Sequence, residues 1–161
     1  LEEVLYEGYG PGGVAILVET MTDNRNRTVA EVRHAFSKAG GSLGTDGSVS
    51  YLFKKFGQII AKDSDEDKLL ELLISTGIED LESLENGRTL INMEVENLSA
   101  VKEVLDSETI EIEESELVMN ASVNVELDEE TSEKVIKLLE NLDDLDDVQN
   151  VHSNAEFVDN L

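Results

Sequence analysis

Apolar and polar positions along the chain fall into short segments of changing period. Val14 to Thr20 is a nearly continuous β-branched apolar run, which predicts a buried strand. Thr28 and Glu31 have the spacing of a capping box, and Val29, Val32, Ala35, Phe36 and Ala39 follow at helical spacing until Gly40-Gly41. Val49, Tyr51 and Phe53 alternate with polar neighbours and predict a strand over 48–53, with a second short strand over 57–61. Ser64 and Asp67 suggest another capping box, opening a leucine-rich helix that runs through Ile74 and ends at Gly77. Strands are expected over 78–84 and 88–95, joined by Glu85-Asn86-Gly87-Arg88, where Asn-Gly favours a type I′ hairpin turn. Leu98, Val101, Val104 and Leu105 predict a short helix, and Ile110 and Ile112 a strand. The longest alternation places Leu117, Met119, Ala121, Val123, Val125 and Leu127 on one face, as a half-buried strand would. A helix over 129–142 should bury Val135, Ile136, Leu139 and Leu142, and a last strand begins near Val148.

The order is β-α-β-β-α-β twice over, an α+β pattern of two ferredoxin-like units. A tandem cut would make the Asn-Gly turn a linker. A two-residue turn pairs its flanking strands in one sheet, so nesting is preferred. The expected organisation is an outer domain of residues 1–53 plus 117–161 and an inserted domain of 54–116. The outer sheet should unite the strands near 14–20, 48–53, 117–127 and 148–157.

Charge changes this picture. The 161 residues carry a formal charge of −25, yet residues 1–62 balance seven basic against seven acidic side chains, so all the net charge lies beyond them. Within 24–55 six basic residues face two acidic ones. A local positive face on an acidic body is compatible with a polyanionic partner, which a uniform −25 would not be. The chain has no cysteine, which excludes disulfides and thiolate metal sites and fits a reducing compartment such as the cytoplasm. No apolar run approaches the ~20 residues of a membrane span.

Most motifs dissolve on inspection. "GYGPGG", residues 8–13, lacks the Gly-Lys-Ser/Thr ending of a phosphate loop and leads into a strand, so Gly8, Gly10, Pro11, Gly12 and Gly13 read as a hinge or turn. Asp63, Asp65 and Asp67 imitate a calcium loop, but Lys68 stands where glycine is required and Ile74 where the closing glutamate belongs. Asp143, Asp144, Asp146 and Asp147 read as a solvated acidic run, so no metal is expected. His34 and His152 are the only imidazoles and no nucleophile motif accompanies them; neither enzyme activity, cofactor nor small-molecule substrate is expected. The basic residues remain. Arg33, His34 and Lys38 lie on the exposed side of the first helix, Arg25 and Arg27 in the loop before it, and Lys54 and Lys55 at the end of the following strand. Arginine grips phosphate bidentately, so these seven are the candidate nucleic-acid contacts, against the plainer reading of a solvated helix face.

The strings "EGYGPGGVAILVE", "TDNRNRTVAEVRHAFSKAGGSLG", "GSVSYLFKKFG" and "DDVQNVHSNAEF" resemble the YebC family, which includes mitochondrial translational activators of cytochrome oxidase, over nearly the whole chain. The resemblance implies a three-domain protein whose first, basic helical domain precedes this piece, with the third domain nested in the second. It also implies a non-enzymatic role as a DNA-binding transcriptional regulator or a ribosome-associated translation factor acting on DNA or ribosomal RNA. On that basis "EGYGPGG" would be the hinge to the basic domain. The family often has an aromatic residue where His152 stands, which weakens any stacking role there. Two other classes stay open: a protein-binding module whose acidic domain docks on a basic ribosomal protein, and a small-molecule sensor.

Overall fold

The computed structural model describes residues 1–158 and shows an α+β protein. Its chain divides into unit 1, Leu1–Lys54 with Asn120–Leu161, and unit 2, Lys55–Met119.

Unit 1 opens with β1 (Glu2–Tyr9), a tight turn at Pro11–Gly13, and β2 (Ala15–Thr22), followed by α1 (Arg25–Lys38) and the two-residue β3 (Ser42–Leu43). After unit 2 come β8 (Val125–Glu126), α4 (Glu129–Asp143), β9 (Val148–Ser153) and β10 (Ala155–Glu156). The main sheet has the order β3-β1-β2-β9, all antiparallel, while β8 and β10 form a separate parallel pair. Val14, Ile16 and Val18 join Val32 and Phe36 of α1 and Val135, Leu138 and Leu142 of α4 in one core. Both helices therefore cover the same face of the sheet.

Unit 2 is built from β4 (Phe53–Ala61), α2 (Glu66–Leu73), β5 (Ile78–Ser83), β6 (Thr89–Glu94), α3 (Leu98–Ser107) and β7 (Ile112–Ala121). Its sheet order, β5-β6-β4-β7, is the ferredoxin-like arrangement in which each helix carries the chain past one intervening strand. Ile59, Leu69, Leu73, Ile91, Met93, Val101 and Leu105 fill its core. Asn86 and Gly87 take the positive φ values, 63° and 71°, that a type I′ turn needs, and β5 and β6 pair across it.

The structure corrects several expectations. Residues 50–52 form a 3-10 turn, so no strand spans 48–53; only Phe53 of that stretch belongs to β4, which runs on through the strand expected over 57–61 in the unit 2 sheet. Gly57 looks like a break in sequence but lies within that strand because the backbone passes close to a neighbour: a Cβ there would meet Met93 Sδ at 2.8 Å. The place expected for 48–53 in the outer sheet is taken by β1, which runs between β3 and β2. The alternation over 117–127 is also not one strand. β7 ends at Ala121 within the unit 2 sheet, Leu117 and Val123 are exposed, and the pairing resumes in β8. Both expected capping boxes shift as well: Asn24 caps α1 and Asp65 caps α2. In α4, Leu138 is fully buried, whereas Ile136 and Leu139 are only partly so.

Candidate nucleic-acid interface

α1 begins four residues earlier than its apolar spacing suggests, so Arg25 and Arg27 are helical residues of its first turn and not loop residues. A helix N-terminus carries partial positive charge, which disfavours cations there. Acidic partners offset this. Arg25 Nη1 donates to Glu2 Oε2 at 3.2 Å. Arg27 Nη2 donates to Asp23 at 3.0 Å and to both oxygens of Asp147 at 2.9 and 3.0 Å, with Nε reaching Asp147 Oδ2 at 3.3 Å. Thr28 also donates to Asp147 Oδ2 at 2.6 Å, and the backbone N–H of Met21 donates to the Asp147 carbonyl at 2.9 Å. The Thr28 hydroxyl and the Arg27 guanidinium hold the Asp147 carboxyl below the usual carboxylate range. Asp147 thus ties the start of α1 to the turn between α4 and β9. Of the acidic run read as solvated, this member is a structural anchor.

The rest of α1 differs. Arg33, His34 and Lys38 are exposed on the side away from the core and make no ion pair or hydrogen bond with another described residue. His34 and Lys38 are four residues apart, so they share one row, with Arg33 beside it. Lys54 and Lys55 are exposed at the start of β4, where the chain passes from unit 1 to unit 2.

Gly8 to Gly13 do not form a free hinge. Gly8 lies inside β1, in register with Ile16, and Gly10 N–H bonds the Val14 carbonyl at 2.9 Å to close the β1–β2 hairpin. Gly12 sits at φ 76°, and a Cβ there would lie 2.7 Å from Leu127 Cδ2, so glycine serves both backbone and packing. On the adjoining strand, Glu7 is buried and accepts from the amides of Gly47, Val49 and Ser50 at 2.7, 3.0 and 2.6 Å. Burial alone would raise its carboxyl, but the three amide donors outweigh this and hold it below its ordinary value. His152, paired opposite Leu17, places a ring nitrogen 3.2 Å from Glu19 Oε2. No group of three or more His, Asp or Glu among the described residues could hold a metal ion, and no described helix is long and apolar enough to cross a membrane.

Two basic residues escaped the sequence reading. Lys134 and Lys137 lie on α4 and line one shallow cavity together with Lys38. Their spacing of three on a helix was the available signal, masked by the acidic average of the chain's second part.

Residues 1–155 match the family described as the second and third domain of TACO1/YebC. The chain belongs to the YebC family. A probable transcriptional regulatory protein of Francisella tularensis subsp. tularensis is 53% identical over 162 residues, and one of Hahella chejuensis is 52% identical over 161. The chain spans 65% of the length of each of these YebC-family relatives. The crystal structure of the conserved hypothetical protein Aq1575 from Aquifex aeolicus has the same fold, with a TM-score of 0.78 and 47% identity over 99% of this chain and 67% of that one.

Proposed function

We propose that this chain is the nucleic-acid-facing part of a non-enzymatic regulator of gene expression in the cytoplasm, with DNA or ribosomal RNA as its partner. Its relatives named as probable transcriptional regulatory proteins support a regulatory role. The observation that carries the nucleic-acid reading is the basic row of α1 at Arg33, His34 and Lys38, which forms no ion pair among the described residues, on a protein whose other arginines at this helix are neutralised by acids. We assign unit 1 to the family's second domain and unit 2 to its third.

Because the chain carries −25, its own binding should be weak and steeply salt-dependent, with dissociation constants in the micromolar-to-millimolar range of non-specific contacts. Fluorescence anisotropy of labelled duplex DNA and of RNA, titrated with the chain at low and physiological salt, tests this. Weak binding that strengthens as salt falls supports the reading; absence of binding to both at low salt overturns it. Fusing the family's first domain should tighten binding by adding charge and by raising effective concentration.

A second reading rests on unit 2, where 18 acidic residues face five basic ones between Lys55 and Met119. Such a surface suits a basic protein, including one of the ribosome. Retention on ribosomes that survives nuclease digestion and is lost on deleting unit 2 would favour it.

A further inference from the structure

We propose that the cavity at the seam of α1 and α4 is a phosphate-binding subsite of unit 1, taking one phosphodiester of a bound nucleic-acid strand and its attached sugar. This rests on the nucleic-acid reading above and adds a place for it that includes residues outside the first helix. The cavity has a volume of about 230 Å³ and is lined by Lys38, Ala39, Lys134, Lys137 and Asn141. In a chain with three times as many acidic as basic residues, three lysines from two separate helices converge here, and no acidic side chain among the described residues lines the space.

Among the described residues the charges around it are little neutralised. Lys38 and Lys137 form no ion pair with another described residue. Lys134 reaches only Glu130, at 3.6 Å and with both side chains exposed, a pair worth little in solvent. Lys38 occupies the last turn of α1, where the helix's partial negative charge favours a cation. Three like charges brought together repel one another, and an anion placed among them turns that repulsion into attraction. The lining surface is mostly apolar, as lysine stems and an alanine methyl can supply. That combination fits a phosphate held at the rim with its sugar against the walls. Asn141 adds an amide that can donate to phosphate oxygen. The space is smaller than the ~300–1,000 Å³ of a drug-sized ligand pocket, which favours one unit of a strand over a whole small-molecule effector.

The shared chemistry is a phosphate group, which a strand or free phosphate could supply, so the test has both arms. The chain, isotopically labelled, is titrated at low salt with a ten-residue oligothymidylate and separately with inorganic phosphate, following backbone amide resonances. The Lys38→Gln/Lys134→Gln/Lys137→Gln variant is compared in parallel. All three side chains are exposed, so the fold should be retained, as unchanged resonances of unit 2 will show. Shifts of residues 37–40 and 134–141 with the oligonucleotide, weaker shifts of the same residues with phosphate, and loss of both in the triple variant are expected. The slope of log affinity against log salt should also fall by about two for single-stranded DNA. If the oligonucleotide binds and the triple variant keeps its affinity and slope, the subsite is wrong while the nucleic-acid reading stands. If phosphate shifts these residues and the oligonucleotide shifts none, the reading falls and the cavity is a site for free phosphate. If the oligonucleotide shifts other residues but not these, the subsite alone falls; if neither ligand shifts any residue, both are overturned.

Discussion

The two ends of α1 carry similar basic residues in opposite circumstances. At the N-terminal end, Arg25 and Arg27 each meet a carboxylate, and Arg27 is held by two. Beyond the second turn, Arg33, His34 and Lys38 meet none among the described residues. The cause lies in the backbone. Cations in a first turn oppose the helix dipole and need compensation, whereas a lysine in the last turn is favoured there and can remain open to solvent. Charge written in a sequence is therefore not charge available to a partner. Here the first half of the basic stretch builds the fold and the second half stays open to solvent.

That contrast can be broken from the buried side of the same helix, where the largest effect is expected. Phe36 is fully buried between α1 and the sheet. Phe36→Ala should cost about 3–5 kcal/mol in urea unfolding. A loss under about 1 kcal/mol would mean that the second half of α1 is not anchored as described.

Glu7→Ala comes next, at about 2–3 kcal/mol, because it strips three amide donors of a charged acceptor. Asp147→Asn should lower the melting temperature by less, since its Arg27 partner is partly exposed and the asparagine oxygen can still accept from the buried Thr28, and should leave nucleic-acid affinity unchanged at temperatures where the protein is folded. Weakened binding in this variant, with the fold intact, would join the two ends of the helix into one site.

Acidity sharpens the same point. Glu7 and Asp147 both have carboxyl pKa values lowered by folding. Their contribution to stability is thus fully present above the ordinary carboxylate pKa of about 4 and is lost as pH falls through the lowered folded values. Melting temperatures of the wild type and of Asp147→Asn should differ at pH 7 and converge as pH drops below about 4. A difference that grows on acidification would contradict the anchoring role.

Much of unit 2 is legible in the sequence. Its helices repeat leucine and valine at helical spacing, and the Asn-Gly turn declares the β5–β6 pair, because every signal there is local. Unit 1 is harder for a physical reason. β1 owes its place to Glu7, whose buried charge looks wrong for a strand until the amides 40 to 43 residues away are seen. Asp147 reads as one acid among several, since its arginine lies 120 positions earlier. The long alternation at 117–127 misleads because two elements in different sheets happen to share its phase. The basic stretch is visible in sequence, but its division into paired and open halves depends on where α1 starts, and that is set by Asn24 accepting from Arg27 N at 3.1 Å. The contribution of α4 to the basic surface required the two helices to be packed side by side.

The most direct measurement is the salt dependence of oligonucleotide affinity in two double variants of α1, Arg25→Gln/Arg27→Gln and Arg33→Gln/Lys38→Gln. The first should keep the wild-type slope while losing stability. The second should stay within about 0.5 kcal/mol of wild-type stability while its slope on duplex DNA falls by about two. A reduced slope in the first variant with an unchanged slope in the second would contradict the account.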